Sequence, residues 1–235
     1  MTALSIEPIG IIHSPYKEKF AVPRQPGLVA DGCGELRLLP PYNQAEAVRG
    51  LEQFSHIWVL FIFHQTQNGG WRPTVRPPRL GGNARVGVFA TRSTFRPNPI
   101  GMSLIELKGI RQQGSEIVLE LGSLDLVDGT PVVDIKPYLP FVENIPDARA
   151  GFAQNIPLAD MPVNFTIEAE QRLLQEVRNH PNLRRFITQV LAQDPRPAYR
   201  KGEQQSREFA VHLSEFNVRW RVENGQTDVI AIDKR

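Results

Sequence analysis

The chain has 235 residues, 41% of them hydrophobic and 22% charged, and a formal net charge of +2. That length suits one or two domains with a sizeable core. No apolar run reaches the roughly 18 residues a membrane-spanning helix needs, the N-terminus lacks a secretory signal pattern, and the single cysteine, Cys33, excludes an internal disulfide or a cysteine-based metal cluster.

Twenty prolines and 18 glycines fit a mainly β, loop-rich protein. Ile6 to Tyr16 alternates apolar residues and breaks at Ser14-Pro15, which predicts an opening strand and turn. Lys17 to Gly27 is too rich in Pro and charge for a regular element. A second strand is expected over Gly34 to Leu39. Ala45, Val48 and Leu51 recur at helical spacing within a short helix from Gln44 to Leu51. Ser55 to Gln65 reads as a buried strand that closes on two polar residues, His64 and Gln65, where sheets and barrels commonly place ligand groups.

Gly69 to Gly87 is a long loop with four Arg, three Pro and five Gly. In it Trp71 stands beside Arg72, a stacking surface next to a cation that suits single-stranded bases, or equally a stiffened crossover or dimer contact. Short β-branched runs at Val86 to Ala90, Leu104 to Leu107, Ile117 to Leu121 and Val132 to Ile135 predict four further strands. Between them lie two polar loops, Arg92 to Ser103 and Asp125 to Pro131. Pro97 and Pro99 stiffen the first and push Arg96 and Asn98 toward extended backbone. Asp128-Gly129-Thr130-Pro131 is a turn in which Gly129 can take positive φ. Two such loops, crowded with charged and amide side chains, favour a ligand site over two plain surface turns.

Phe141 to Pro162 is polar and proline-punctuated, which predicts a first domain over residues 1–145, a linker over 146–162 and a smaller domain over 163–235. In that second unit a strand is expected at Val163 to Ala169, helices at Ala169 to Glu176 and Asn182 to Gln193, and strands at Glu208 to Leu213 and Phe216 to Val222. Arg219 and Arg221 alternate with Trp220, so one face of the last strand is expected to be basic and the other aromatic. Arg196, Arg200 and Lys201 fall in a proline-stiffened stretch that could grip an RNA backbone. A fragment ending near Pro162 is expected to fold alone.

The net charge hides an uneven distribution. From Gln53 to Ile105 there is no Asp or Glu, yet Arg72, Arg76, Arg79, Arg85, Arg92 and Arg96 all fall there. Arginine without lysine favours planar recognition of phosphate over mere solubility. A doubly wound nucleotide fold is not expected, because Gly81-Gly82 and Gly87 lack the following helix that fold requires. No zinc-hydrolase spacing occurs, and Ser14 and Ser103 lack a nucleophile-elbow context.

RPNPIGMS at 96–103, followed by LDLVDGTPVVDIKPY at 124–138, resembles the signature of the TsaA-like family, and the likeness runs from IGIIHSPYKEKFAVPRQPG to QDPRPAYRKG. Characterised bacterial members are S-adenosylmethionine-dependent tRNA methyltransferases. The resemblance implies a mainly β fold, an N-terminal β-barrel with a smaller α+β C-terminal domain. It also implies methyl transfer to N6 of threonylcarbamoyladenosine beside the anticodon. It places S-adenosylmethionine on Pro23, Arg24, Gln25, His64, Gln65, Arg92, Met102 and the turn of Asp125, Leu126, Val127 and Asp128. Arg92 could pair the cofactor's carboxylate, Asp125 or Asp128 its ribose, and the backbone of Leu126 and Val127 its adenine.

Asp134, Lys136 and Tyr138 share one face if their strand is extended, and form a candidate catalytic group for managing a proton, or a plain polar exterior. Arg72, Arg76 and Arg79 join Arg196, Arg200 and Lys201 as candidate RNA contacts. The implied partners are a tRNA anticodon loop, threonine-accepting tRNA first, and a second copy in a homodimer; no metal and no membrane are expected, and the cytoplasm is the expected compartment. Two other classes compete. A non-catalytic RNA-binding module needs no cofactor turn, and an enzyme acting on a free nucleotide needs no C-terminal unit.

Overall fold

The computed structural model describes residues 5–66, 69–196 and 206–234. Six strands, β1 (Gly10–His13), β2 (Cys33–Leu38), β3 (His56–Ile62), β6 (Ile100–Gln113), β7 (Glu116–Ser123) and β8 (Pro131–Pro137), close into a barrel in the order β1-β2-β7-β6-β3-β8. Every neighbouring pair is antiparallel. Two-residue alternation sends Ile57, Val59 and Phe61 of β3 inward, with Ile105 and Leu107 of β6 and Leu36 of β2, and turns Trp58 and Leu60 outward. Closure leaves no free sheet edge.

The long loop predicted over Gly69 to Gly87 carries order of its own. Thr74–Val75 (β4) and Val86–Gly87 (β5) pair as a short ribbon, and a 3₁₀ turn at Pro78–Leu80 lies between them. The strand expected over Val86 to Ala90 stops at Gly87 and becomes a 3₁₀ turn, Val88–Ala90. The predicted first helix shrinks to α1 (Ala45–Val48), which Gly50 ends by taking left-handed backbone. α2 (Pro140–Glu143) forms just before the predicted linker, and a 3₁₀ turn at Gly151–Ala153 forms within it.

The C-terminal unit is a four-stranded sheet, β10-β11-β12-β9, built from β9 (Val163–Phe165), β10 (Arg207–Leu213), β11 (Phe216–Glu223) and β12 (Gln226–Lys234). The sequence reading missed β12, and it ran the strand of β9 into the first turn of α3 (Ile167–Glu176). Thr166 caps that helix, accepting from the Ala169 amide. In α4 (Leu183–Ala192), Leu183, Phe186, Ile187, Val190 and Leu191 are buried, as their spacing predicts.

This unit is docked tightly on the barrel. Tyr16 bridges to Leu213 in antiparallel fashion, and its buried ring lies 5.8 Å from that of Phe186. Asp31 accepts hydrogen bonds from Arg185 and Gln189, while Gln189 Oε1 accepts from the Asp31 amide at 3.0 Å. Ser214 N donates to Pro15 O at 2.6 Å. One buried cluster runs through barrel and C-terminal unit together, from Ile12 and Leu36 through Tyr16 and Val29 to Phe186 and Trp220. The expectation that a fragment ending near Pro162 folds alone conflicts with that shared core.

Candidate functional site

A cleft of about 1340 Å³ opens at one end of the barrel. Its deep side is built from β6 and from the loop after β7. Ser103, pointing into the barrel and 1% exposed, donates to Asp125 Oδ1 at 2.6 Å. A hydrogen bond that short to a carboxylate fixes the side chain's direction. Burial pushes the Asp125 carboxyl up to about 6, against the pull of Ser103, of its own backbone amide and of the nearby Arg92.

The turn that follows is held from behind by the start of the chain. Ser14 Oγ donates to Leu126 O at 2.8 Å, and Thr130 Oγ1 donates to Val127 O at 2.7 Å. Both carbonyls are therefore engaged; among the described residues the amides of Leu126 and Val127 donate to nothing, which leaves them as the available backbone groups. Gly129 adopts φ +77°, as expected of its turn, and donates to Ile12 O. Asp128 departs from its assigned role. Its Oδ1 accepts from the Ser14 amide at 2.8 Å and its Oδ2 pairs with Lys17 at 2.8 Å, so it anchors the turn to β1 and lies outside the cleft lining.

The other expected cofactor residues converge. Pro23, Arg24, Gln25, His64, Gln65, Arg92 and Met102 all line the cleft. Arg92 donates to Gln25 Oε1 at 2.5 Å, which joins two segments 67 residues apart. His64 and Gln65 follow the end of β3, where Phe63 N bonds Pro99 O. Gly101 is needed at this wall, because a Cβ there would sit 2.3 Å from the Phe61 ring. The residues fit a cationic cofactor bearing a carboxylate: a single deep carboxylate, Asp125, stands opposite a guanidinium, Arg92.

Arginine dominates the remaining lining. All six arginines of the acid-free stretch, Arg72, Arg76, Arg79, Arg85, Arg92 and Arg96, line this cleft together with Arg24 and Lys19, and Asp125 is the one acid among the lining residues. None of these arginines forms an ion pair among the described residues; they bond instead to carbonyls, amides and hydroxyls such as Val88 O, Gln25 Oε1 and Thr74 Oγ1. Arg79 reaches Asn155 O, so the predicted linker contributes a wall of the cleft through Ala150, Phe152, Ala153 and Pro157. Trp71, the expected stacking residue, is 57% exposed but lies outside the lining, as does Asn98.

Asp134, Lys136 and Tyr138 also fall outside it. A register shift in β8 opposite Leu60 and Phe61 places Asp134 and Lys136 on the outer face, across from Leu60 and Trp58, where they pair with each other at 2.9 Å. Met102 lies across from Leu60 on the other side, on the same face, so Asp134 is two strands, about 10 Å, from the cleft rim. Arg196 is corrected as an RNA contact: it is 7% exposed and held by Asp194 at 2.7 and 3.1 Å. Arg200 and Lys201 lie outside the described residues. The basic face expected on β11 is neutralised, since Arg219 meets Asp233 and Arg221 meets Glu223, while Trp220 is buried.

Sequence reasoning passed over Ser103, whose inward register in β6 could have been read from its alternation with Gly101 and Ile105. It also passed over Phe89, which lines the cleft while 74% exposed. Among the described residues no cluster of His, Cys, Asp and Glu could hold a metal ion, and no helix is long and apolar enough to cross a membrane.

Comparison with known proteins agrees with this geometry. The family model for the tRNA-methyltransferase O N-terminal domain matches residues 11–144, and that for the TrmO C-terminal domain matches residues 158–235. The tRNA (adenine(37)-N6)-methyltransferase of Escherichia coli (strain K12) is 66% identical over 100% of both chains. A Pseudomonas aeruginosa protein that carries the name of an S-adenosylmethionine-dependent methyltransferase is 48% identical, over 92% of this chain and 91% of its own. The crystal structure of TrmO from Pseudomonas aeruginosa superposes with a TM-score of 0.80 at 39% identity, covering 100% of this chain and 99% of that one.

Proposed function

The chain belongs to the tRNA-methyltransferase O family, and from that premise we propose that it methylates the N6 nitrogen of adenosine 37 in tRNA, with S-adenosylmethionine as donor. The threonylcarbamoyl form of that adenosine, beside the anticodon of threonine-accepting tRNA, is the proposed substrate. The observation that carries this reading is one cleft with a lone deep carboxylate and a rim of arginines that form no ion pair among the described residues, a place for a sulfonium cofactor and for an RNA backbone at once.

S-adenosylmethionine, when bound, supplies an electrophilic methyl group. The protein's part is to place the acceptor nitrogen in line with it and to let that nitrogen's proton leave. Positioning of this kind is worth roughly 7–11 kcal/mol. Asp125 offers the carboxylate that a sulfonium or a ribose requires, and Arg92 the guanidinium that a carboxylate requires. Leu126 and Val127 offer amides to adenine.

Asp134, Lys136 and Tyr138 can join this chemistry from the outer face if a second copy or the RNA lies across it. A homodimer is the reading that the apolar exposure of this side supports: Met102 is 48%, Phe141 86% and Val142 58% exposed. Such a stretch in contact with water marks an interaction surface. The cytoplasm, where tRNA is processed, is the proposed compartment.

The test is direct. The full chain, S-adenosylmethionine and tRNA bearing threonylcarbamoyladenosine are incubated, and the digested nucleosides are weighed by mass spectrometry. One methyl group should appear on that nucleoside and on no other, and only with the cofactor present. Binding of tRNA with no mass change, and no heat on titration with S-adenosylmethionine, would instead make the protein a non-catalytic RNA-binding module.

A further inference from the structure

Phe89 is an anomaly in the cleft. An apolar ring of that size favours burial, yet it stands 74% exposed. It is carried by the 3₁₀ turn Val88–Ala90, which is pinned on both sides: Val88 N donates to Pro73 O at 3.0 Å, and Thr91 N donates to Val88 O at 3.1 Å. Val88 itself is buried and 1% exposed. The turn is therefore anchored through Val88 while the ring next to it is held out into the cleft.

One neighbour defines the ring's surroundings. The guanidinium of Arg96 lies 5.7 Å from the Phe89 ring centroid, within the range of a cation–π contact. That guanidinium is not free to wander, because its Nη1 donates to Thr91 O at 2.7 Å and to Val88 O at 3.2 Å, both in the segment that carries Phe89. Arg72 and Phe95 repeat the arrangement nearby, with the guanidinium 4.6 Å from the centroid. Each pair combines a flat apolar surface with a fixed positive charge. In the second pair Phe95 is half-buried, whereas Phe89 retains most of its surface.

We propose that Phe89, buttressed by Arg96, is the platform on which an unpaired base of the RNA stacks as the anticodon loop enters the cleft. The inference rests on the methyltransferase reading above and adds a recognition residue to it. The occupant follows from charge and shape. Ordinary apolar partners do not seek a cleft whose lining carries seven arginines, one lysine and one acid, whereas a nucleotide presents a flat aromatic face and a phosphate together. Stacking of bases on aromatic and guanidinium planes is how single-stranded RNA loops are read. Phe89 is at the solvent end of the cleft, while Ser103 and Leu126, 1% and 2% exposed, mark its deep end near the cofactor groups.

The experiment uses the full chain with Phe89→Ala, Phe89→Leu and Phe89→Tyr, and two probes: tRNA bearing threonylcarbamoyladenosine at position 37, and S-adenosylmethionine. Loss of one stacked base should weaken tRNA binding about tenfold or more in the Ala and Leu variants. Leu retains apolar bulk without a π face, so it should fail like Ala, and Tyr should restore binding. Affinity for S-adenosylmethionine should not change, and the slope of log affinity against log salt should stay that of the wild type, since every cation that meets a phosphate is retained. Melting temperatures should coincide, because the ring is largely in solvent.

Several results would overturn the proposal: weakened cofactor binding with tRNA binding intact, which makes Phe89 part of an adenine slot; full binding by the Leu variant, which makes the interaction merely apolar; or wild-type behaviour throughout. Failure of the methyltransferase reading shows separately, as wild-type protein that binds tRNA and transfers no methyl group.

Discussion

Arginines occur in comparable number in the barrel cleft and in the C-terminal unit, and most of the second group have a carboxylate partner that the first group lacks among the described residues. In the C-terminal unit Arg172 faces Glu176 at 2.6 Å, Arg185 faces Asp31, Arg196 faces Asp194, Arg219 faces Asp233 at 3.3 Å and Arg221 faces Glu223 at 4.0 Å. In the cleft, no arginine forms an ion pair among the described residues, and like charges gather around a single Asp125. Cations that outnumber the acids around them, here Asp125 beside Arg92 and Asp194 beside Arg24, make a field of positive sign that favours a polyanion. The difference teaches that a sequence count of arginines says little until their carboxylates are located. The C-terminal arginines named here are held by carboxylates; those of the cleft that are held at all bond to carbonyls, amides and hydroxyls, and they are the proposed contacts for a polyanion.

Truncation gives the largest expected effect and tests the structural half of this comparison. A fragment ending at Pro162 removes Phe186, Leu213 and Trp220 from the core they share with Tyr16 and Phe20. Each large side chain so exposed forfeits roughly 1.5–3 kcal/mol, against a typical total stability of about 5–15 kcal/mol. The fragment should lose cooperative thermal unfolding and with it all cofactor binding. A sharp melting transition in the fragment would show that the barrel is independent after all.

Charge reversal in the cleft comes next. Arg76, Arg79 and Arg85 changed together to Glu should weaken tRNA binding by about a hundredfold or more at moderate salt. The salt dependence should flatten by roughly 0.7–0.9 for each phosphate that is no longer neutralised. S-adenosylmethionine affinity should change far less, since these side chains belong to the rim. An unchanged salt slope would assign them to another partner.

How much of this was legible beforehand depends on the kind of interaction. The barrel strands follow two-residue alternation, and Arg96 of the RPNP segment and Asp125, Leu126, Val127 and Thr130 of the DLVDGTP segment come to one cleft because both segments join barrel strands at the same end. Asp128 misled because a turn aspartate can face either way, and its choice depends on Ser14 and Lys17, more than 100 residues earlier in the chain. Arg196 misled for a related reason: Asp194, two residues away, claims it, and flanking prolines do not reveal burial. β12 was legible but overlooked, since Asn224-Gly225, both with positive φ, is a two-residue hairpin signal between β11 and β12. Phe89 was invisible, since in sequence an exposed phenylalanine and a core phenylalanine are the same letter.

The pH dependence of cofactor binding tests the lone acid of the cleft. Its carboxyl is raised from 3.8 to about 6, first by burial. Between those values the folded protein holds a proton that the unfolded chain has released, so the contribution to stability is fully present below 3.8 and is lost as pH rises through about 6. Above that pH the ionised Asp125 is a cost to the unliganded protein and an asset to a cationic ligand. Affinity for S-adenosylmethionine should therefore fall below pH 6, by up to about tenfold per pH unit, and level off above it. Asp125→Asn should bind weakly with a flat profile, yet melt no lower than wild type at neutral pH. A wild-type profile in that variant would move the cofactor's positive charge elsewhere.

The smallest effect is expected where the comparison says an arginine is already satisfied. Arg219 and Asp233 are about half exposed, at 44% and 56% of their side-chain surface, and lie 3.3 Å apart across neighbouring strands. A solvent-screened pair of this kind contributes about 0–1 kcal/mol, so Arg219→Ala should shift the melting temperature by no more than a few degrees. Because Asp233 already neutralises its charge, its loss should leave tRNA affinity within about twofold and the salt slope unchanged. Asp233→Ala is the sharper half of the experiment. It frees Arg219 without removing it, and so creates on the C-terminal sheet the kind of unpaired arginine that the cleft contains. If tRNA binding tightens and its salt slope steepens by roughly 0.7–0.9 in that variant alone, the RNA passes within reach of this face, and the pairing is what keeps it silent. If Arg219→Ala by itself weakens binding as much as a cleft substitution does, the division between satisfied and waiting arginines is wrong.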